Sequence, residues 1–448
     1  MKKLRRLFMG LLMCAAFHPA AHAEQAPVAQ VTVLYAGTLL STPGEEPVES
    51  ATVIIRDGLI ERIEAGFVAR EALGLSAQTR VVDLKNQFVM PGFIDLHVHL
   101  SSSASSGRSD LYLRKPDAYM ALLGADNAKK TLMAGFTTVR DLGSKGMSIF
   151  ALRDAIKDGL VPGPKLLVAG SPITPSGGHG DFHGFRQEVL DALPATGVCN
   201  GADDCRRAVR EMVKRGADVI KVTATGGVLS NTNAGTGQQF TPEELKAIAE
   251  SAHTLGRKVT AHAHDKSGIE AALAAGFDSI EHAMWADRDT MKLFKKHDAW
   301  IIPTVYPITY VGDTPEKMRQ GPFKDLPPAS MEKLLRLGKQ PKAMTRLAHK
   351  MGVNIALGTD SGVSPHGHNA HEFVEYVGIG MTPMEALAAG TTQAAEAGGI
   401  EHVGRIEPGM AADIVAMPQS PLEDINAVLD LSFIMRDGIL FKNEVVQL

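Results

Sequence analysis

Val219-Ile-Lys-Val-Thr-Ala224, Thr241-Pro-Glu-Glu244 and Lys258-Val-Thr-Ala-His-Ala263 follow one another as strand, helix start and strand. The outer runs are short, apolar and β-branched, as parallel strands buried on both faces require. Between them Thr241 stands at an N-cap, Pro242 in the first turn and Glu244 at the third helical position, a capping box. Thr382-Pro-Met-Glu385 repeats the device. Outward from this unit the alternation continues from about 90 to 400. Strands are predicted at Phe93 to His99, Thr137 to Leu142, Lys165 to Gly170, Val219 to Ala224, Lys258 to Ala263, Ser279 to Ala283, Trp300 to Val305 and Asn354 to Asp360. Eight βα units predict an α/β fold, a (β/α)8 TIM barrel over residues 90–400, with an open doubly wound sheet as the rival.

Outside the barrel the pattern changes to short β-rich runs with turn signals. Asp57-Gly58 and Asp437-Gly438 each sit between apolar runs and read as hairpin turns. Neither terminal piece is large enough for a core of its own. Residues 24–89 and 401–448 are therefore expected to form one small β-sandwich domain from both chain ends. Two connections exceed what linkage needs: Ser171 to Gly201, with Gly-Gly-His-Gly-Asp inside it, and Tyr306 to Ser330, with prolines at 307, 315, 322, 327 and 328. Both are expected to be functional loops.

With 44 % hydrophobic and 21 % charged residues among 448, the composition excludes disordered, collagen-like and coiled-coil chains. Lys2, Lys3, Arg5 and Arg6 precede the apolar run Leu7 to Phe17, which ends in Ala21-His22-Ala23, the layout of a signal peptide over residues 1–23. Cleavage after Ala23 and a periplasmic or secreted protein are expected; lipoprotein anchoring at Cys14 is the alternative. Without those four of its 46 basic residues, against 50 acidic ones, the chain carries −8 and has no basic stripe for nucleic acid. No other run reaches the roughly 20 apolar residues of a membrane helix. Cys199 and Cys205 remain, and an oxidising compartment permits a disulfide between them or two unpaired thiols.

Ten histidines (97, 99, 179, 183, 262, 264, 282, 366, 368, 371) fall at or just after predicted strand ends, the active-site face of a barrel. His97 and His99, two apart on one strand, project to the same side and suit one cation. Lys221, flanked by Ile220 and Val222 on a core strand, His262, His282 and Asp360 complete the candidates. The cluster of His366, His368 and His371, set among Pro and Gly, is read as a loop rather than as ligands. Phe182, Phe185, Tyr306 and Tyr310 offer aromatic surface for a bulky acyl group.

These motifs, with Pro91-Gly-Phe-Ile-Asp-Leu-His-Val-His99, Gly135-Phe-Thr-Thr-Val-Arg-Asp141, Gly177-Gly-His-Gly180 and Gly404-Arg-Ile-Glu-Pro-Gly-Met-Ala-Ala-Asp413, resemble the amidohydrolase superfamily in its imidazolonepropionase-like and prolidase-like branch. That branch includes secreted dipeptidases acting on X-Pro or X-Arg bonds and enzymes that hydrolyse the amide of ochratoxin A. The resemblance implies two divalent metal ions, usually zinc. His97, His99 and Asp360 would hold the buried one, His262 and His282 the more exposed one, and an N-carboxylated Lys221 would bridge them. In such a site Asp360 can carry the proton. His179 and His264 are the candidate partners of a substrate carboxylate, with ordering of its own glycine loop as the alternative for His179 and a supporting place behind the ligands for His264. Tyr306, just past the seventh strand, is a candidate polariser of the scissile carbonyl or else a loop packing residue. The implied reaction is hydrolysis of the amide to a C-terminal amino acid in an N-acyl amino acid or dipeptide, ochratoxin A included, by a homo-oligomer, an octamer by resemblance. A cyclic-amide hydrolase or deaminase of the same superfamily, and a non-catalytic periplasmic metal- or solute-binding protein, are the competing readings.

Overall fold

The computed structural model describes residues 30–102, 108–193, 196–230 and 235–445. The signal segment 1–23 with Cys14, and residues 103–106 of the serine-rich run, lie outside the described residues. β1 (Val31–Leu39), β2 (Val48–Arg56), β3 (Leu59–Ala65) and β4 (Arg80–Pro91) come first. Next are β5 (Phe93–Val98), β6 (Phe136–Asp141), β7 (Lys165–Val168), β8 (Val219–Thr223), β9 (Lys258–Ala263), β10 (Ser279–His282) and β11 (Trp300–Ile302). β12 (Ile414–Met417), β13 (Phe433–Arg436) and β14 (Ile439–Asn443) close the chain.

The two chain ends share one seven-stranded sheet in the order β14-β13-β12-β4-β1-β2-β3. It curls around a core that includes Leu34, Val53, Ile60, Val82, Ile414 and Phe433, so its two halves face each other. An isolated bridge from Leu59 to Ala411 brings the far edge back to β12. The hairpin tips meet as well. Asp57-Gly58 and Asp437-Gly438 all have φ between 49° and 82°, the geometry of a two-residue type I′ turn. A Cβ on Gly58 would lie 2.7 Å from the carbonyl oxygen of Asp437, which explains the glycine.

β5 to β7 and β8 to β11 are two runs of parallel strands that close into the TIM barrel. At one seam Ile173 N–H donates to the Lys221 carbonyl at 2.7 Å and Thr223 N–H to that of Ile173 at 2.9 Å. At the other, residues 354–361 lie between β11 and β5: Ile301 N–H donates to Asn354, Leu96 N–H to Leu357 and His99 N–H to Ser361. The eighth strand expected at Asn354 to Asp360 is thus present in position but paired only through isolated bridges. Gly358 marks why it fits so closely, since a Cβ there would lie 2.3 Å from Ile302 and 2.9 Å from His97.

One expectation is corrected. Tyr306 to Ser330 is not a loop: it enters the helices Tyr306–Val311, Pro315–Gln320 and Pro328–Leu337. Pro307, Pro315 and Pro328 sit at first or second helical positions, where the missing N–H costs nothing. Both capping boxes form, at Thr241 with Glu244 and Thr382 with Glu385. Cys199 and Cys205 are disulfide-bonded with Cα atoms 5.0 Å apart, Cys205 lying in the first turn of helix Ala202–Arg215. No described helix is long and apolar enough to cross a membrane.

Candidate active site

The ends of β5, β8, β9 and β10, with the segment around Asp360, converge on one cavity of about 170 Å³. His97, His99, Lys221, His262, His282 and Asp360 all line it, as do His179 and His264. Asp360 Oδ1 stands 3.5 Å from His97 Nε2 and 3.2 Å from His99 Nε2. His97, His282 and Asp360 each offer a ligand atom, and these atoms lie within 4.8 Å of one another. His262 continues the cluster, its ring centroid 4.6 Å from those of His264 and His282. His282 thus lies beside both the His97–Asp360 end and the His262 end of the cluster. His282 and Asp360 have φ of 72° and 52°, left-handed conformations that are costly for non-glycine residues and typical of functional strand ends.

What the other ring nitrogens do fixes the donor set. His97 Nδ1 meets Glu281 Oε2 at 2.7 Å, His99 Nδ1 the Gly143 carbonyl at 3.0 Å, and His282 Nδ1 the Thr304 hydroxyl at 2.7 Å. In all three, Nδ1 is occupied and Nε2 is turned to the cavity, those of His97 and His99 toward Asp360. Buried His262 Nε2 has no partner. Burial pulls His97 and His264 down to about 4, and His262 and His282 well below the usual imidazole value. All four are neutral at pH 7, the form that binds a metal. Burial also brings the Lys221 ammonium down to about 8, against the pull of Glu281 and Asp360. Burial alone would raise Asp360, but His97 and the hydrogen bond from His99 outweigh it and hold the carboxyl well below its ordinary range.

Three residues not singled out in the sequence support this centre. Glu281 accepts from Arg140 Nη2 at 2.9 Å while it holds His97, and Arg140 Nε donates to the Leu96 carbonyl at 2.7 Å. Burial works against the Glu281 charge, yet Arg140 and His97 bring its carboxyl down to about 2. Gly227 lies under the His179 ring, so close that a Cβ there would sit 2.1 Å from it. A charged residue inside the short strand β10 and the Gly226-Gly227 pair were the available signals.

His179 stacks toward His262 with centroids 4.3 Å apart, and its N–H donates to Gln239 Oε1 at 2.9 Å. Tyr306, by contrast, does not line the cavity. Its hydroxyl pairs with His368 Nδ1 at 3.1 Å and its ring stacks on His371. Phe182, Phe185 and Tyr310 do not line the cavity either. Its outer wall is built instead from Val228, Met284, Ile308, Val311, Phe323 and Leu334, which belong to one apolar cluster.

The amidohydrolase family model matches residues 88–440. An ochratoxinase from Aspergillus niger is 33 % identical over 443 residues, covering 92 % of this chain and 87 % of that protein. Among solved structures, a Xaa-Pro dipeptidase with bound methionine in its active site superposes with TM-score 0.84 at 34 % identity, over 92 % of this chain and all of that one. The crystal structure of A. niger ochratoxinase gives 0.81 at 32 % identity, over 93 % and 96 %. Fold, cavity chemistry and relatives agree: the chain belongs to the amidohydrolase family and is a hydrolase of amide bonds.

Proposed function

We propose that the protein is a binuclear metal-dependent hydrolase that cleaves the amide to a C-terminal amino acid in N-acyl amino acids or dipeptides, with ochratoxin A among the candidate substrates. The observation that carries the reading is the cavity itself: neutral histidines, Lys221 and Asp360 at its base and an apolar wall above them. The donor set fits two divalent cations, most simply zinc. His262 Nε2 is buried without a partner, and Lys221 is buried at the base of the same cavity. An N-carboxylated Lys221 would offer two anionic oxygens there in place of a cation that two metals would repel.

When bound, the ions supply a hydroxide at neutral pH. Asp360, ionised and set between His97 and His99, is placed to accept the proton that an attacking water would give up and to pass it to the departing amine. His179 and His264 face the substrate carboxylate, and the wall from Val228 to Leu334 receives the bulky acyl group. The Xaa-Pro dipeptidase and ochratoxinase relatives both act at such an amide, which supports this assignment. The chain is further read as exported with cleavage near Ala23, and as a homo-oligomer.

A screen of dipeptides varied at the C-terminal residue, with ochratoxin A alongside, is expected to find hydrolysis after zinc loading. Elemental analysis should give two metal equivalents per chain, and His262→Ala and Lys221→Ala should each lose activity. Full activity in either variant would sink the binuclear reading, and a single equivalent would favour a cyclic-amide hydrolase or deaminase.

A further inference from the structure

Glu372 is fully buried, does not line the cavity and has no part in the chemistry above. Its two carboxylate oxygens accept separately, Oε1 from the backbone N–H of Val305 at 2.7 Å and Oε2 from that of Tyr306 at 2.8 Å. These donors open helix Tyr306–Val311, where first-turn N–H groups have no partner within the helix. The same segment grips Tyr306 twice more. His368 Nδ1 lies 3.1 Å from its hydroxyl, and the His371 ring stacks on its ring at 4.8 Å with an interplanar angle of 22°. Held by backbone, hydroxyl and ring, Tyr306 leads directly into Pro307, Ile308 and Val311, which face the cavity.

We propose that Glu372 is a positioning residue: it fixes helix Tyr306–Val311, and through it the apolar wall that receives the substrate's bulky group. A carboxylate that accepts two N–H bonds makes charge-assisted contacts, stronger than neutral ones. Burial pushes this carboxyl up to about 8 against the pull of those two bonds, with Glu375 and Asp95 adding to the rise and Tyr376 beside it. At pH 9 it is ionised and a double acceptor. The kinetic consequence rests on the amide-hydrolase reading; the structural one does not.

Glu372→Gln keeps the volume but turns an amide nitrogen toward one of the two N–H groups, so one bond is lost. At pH 9, KM for N-naphthoyl-L-phenylalanine is expected to rise about fivefold, while KM for N-acetyl-L-phenylalanine and both kcat values stay within about twofold. An equal rise for both substrates, or none, overturns the proposal. Backbone amide exchange across residues 303–312 is the second arm. Faster exchange in the variant is expected, and unchanged exchange overturns the clamp whatever the activity. If the wild type hydrolyses neither substrate, the functional reading fails alone and the exchange result still decides the clamp.

Discussion

Glu281 holds two partners from opposite directions, Arg140 through Oε1 and the His97 imidazole through Oε2, with the Thr260 hydroxyl donating to Oε1 at 2.5 Å. Removing its charge leaves the buried Arg140 guanidinium without its ion-pair partner and releases the His97 ring. Glu281→Gln is expected to destabilise the metal-free protein by about 3–5 kcal/mol in urea unfolding. It should also cut metal affinity or kcat/KM by about 10- to 100-fold, the usual cost of losing a ligand's orienting partner. Unchanged stability and activity would remove Glu281 from this role. Gly227→Ala tests the His179 seat. A Cβ 2.1 Å from the ring forces His179 aside, so kcat/KM should fall about tenfold with little change in the unfolding midpoint. The histidines were legible in the sequence because two-residue spacing on a strand is local. The Arg140–Glu281 pair was not, because its partners are 141 residues apart and meet only when the barrel closes. The pairing of Tyr306 with His368 and His371 was not legible either, because position just past a strand says nothing about which way a ring turns.

At the scale of elements, local chemistry was readable wherever one signal had one meaning. Thr241 and Thr382 with their prolines and glutamates gave helix starts that the structure reproduces. Proline-rich sequence from Tyr306 to Ser330 had two meanings, loop or a series of helix starts, and packing of Ile308, Met318 and Phe323 into one cluster selected the second. The eighth strand is legible in position and not in form, because Gly358 and the left-handed Asp360 interrupt regular pairing. The disulfide belongs to this scale too. Cys199 N–H donates to the Thr174 carbonyl and Thr174 Oγ1 accepts from Gly180 N–H, so the bridge closes the base of the loop that carries His179. The Cys199→Ser/Cys205→Ser double variant should lose about 2 kcal/mol in urea unfolding. Reductant should produce the same loss in the wild type and none in the variant; equal midpoints in all four samples would show that the bridge contributes nothing.

Over the whole molecule, buried ionisable groups make stability depend on pH in both directions. The neutral buried histidines have values lowered from 6.5, so the unfolded chain takes up more protons as pH falls below about 6.5 and the native state loses stability there. A buried carboxyl whose value is raised acts oppositely. Burial, with the Asp437 charge adding to it, raises Asp413 from 3.8 to about 7, outside the cavity and just ahead of β12. Its contribution is complete below about pH 4, where both states are protonated, and is lost as pH rises through about 7, because the native state holds a proton that the unfolded chain has released. The slope for one such proton is at most about 1.4 kcal/mol per pH unit. Asp413→Asn isolates this effect, since an amide oxygen can still accept the Asp437 N–H that Asp413 Oδ1 accepts at 2.8 Å, but nothing titrates. Histidine contributions cancel between the two proteins. Urea unfolding from pH 4.5 to 7.5 should show the wild type losing stability relative to the variant as pH rises, with the difference levelling off above pH 7. Parallel curves across that range would mean that Asp413 is ionised in the native state throughout, and that the buried end of the seven-stranded sheet tolerates a charge that its surroundings argue against.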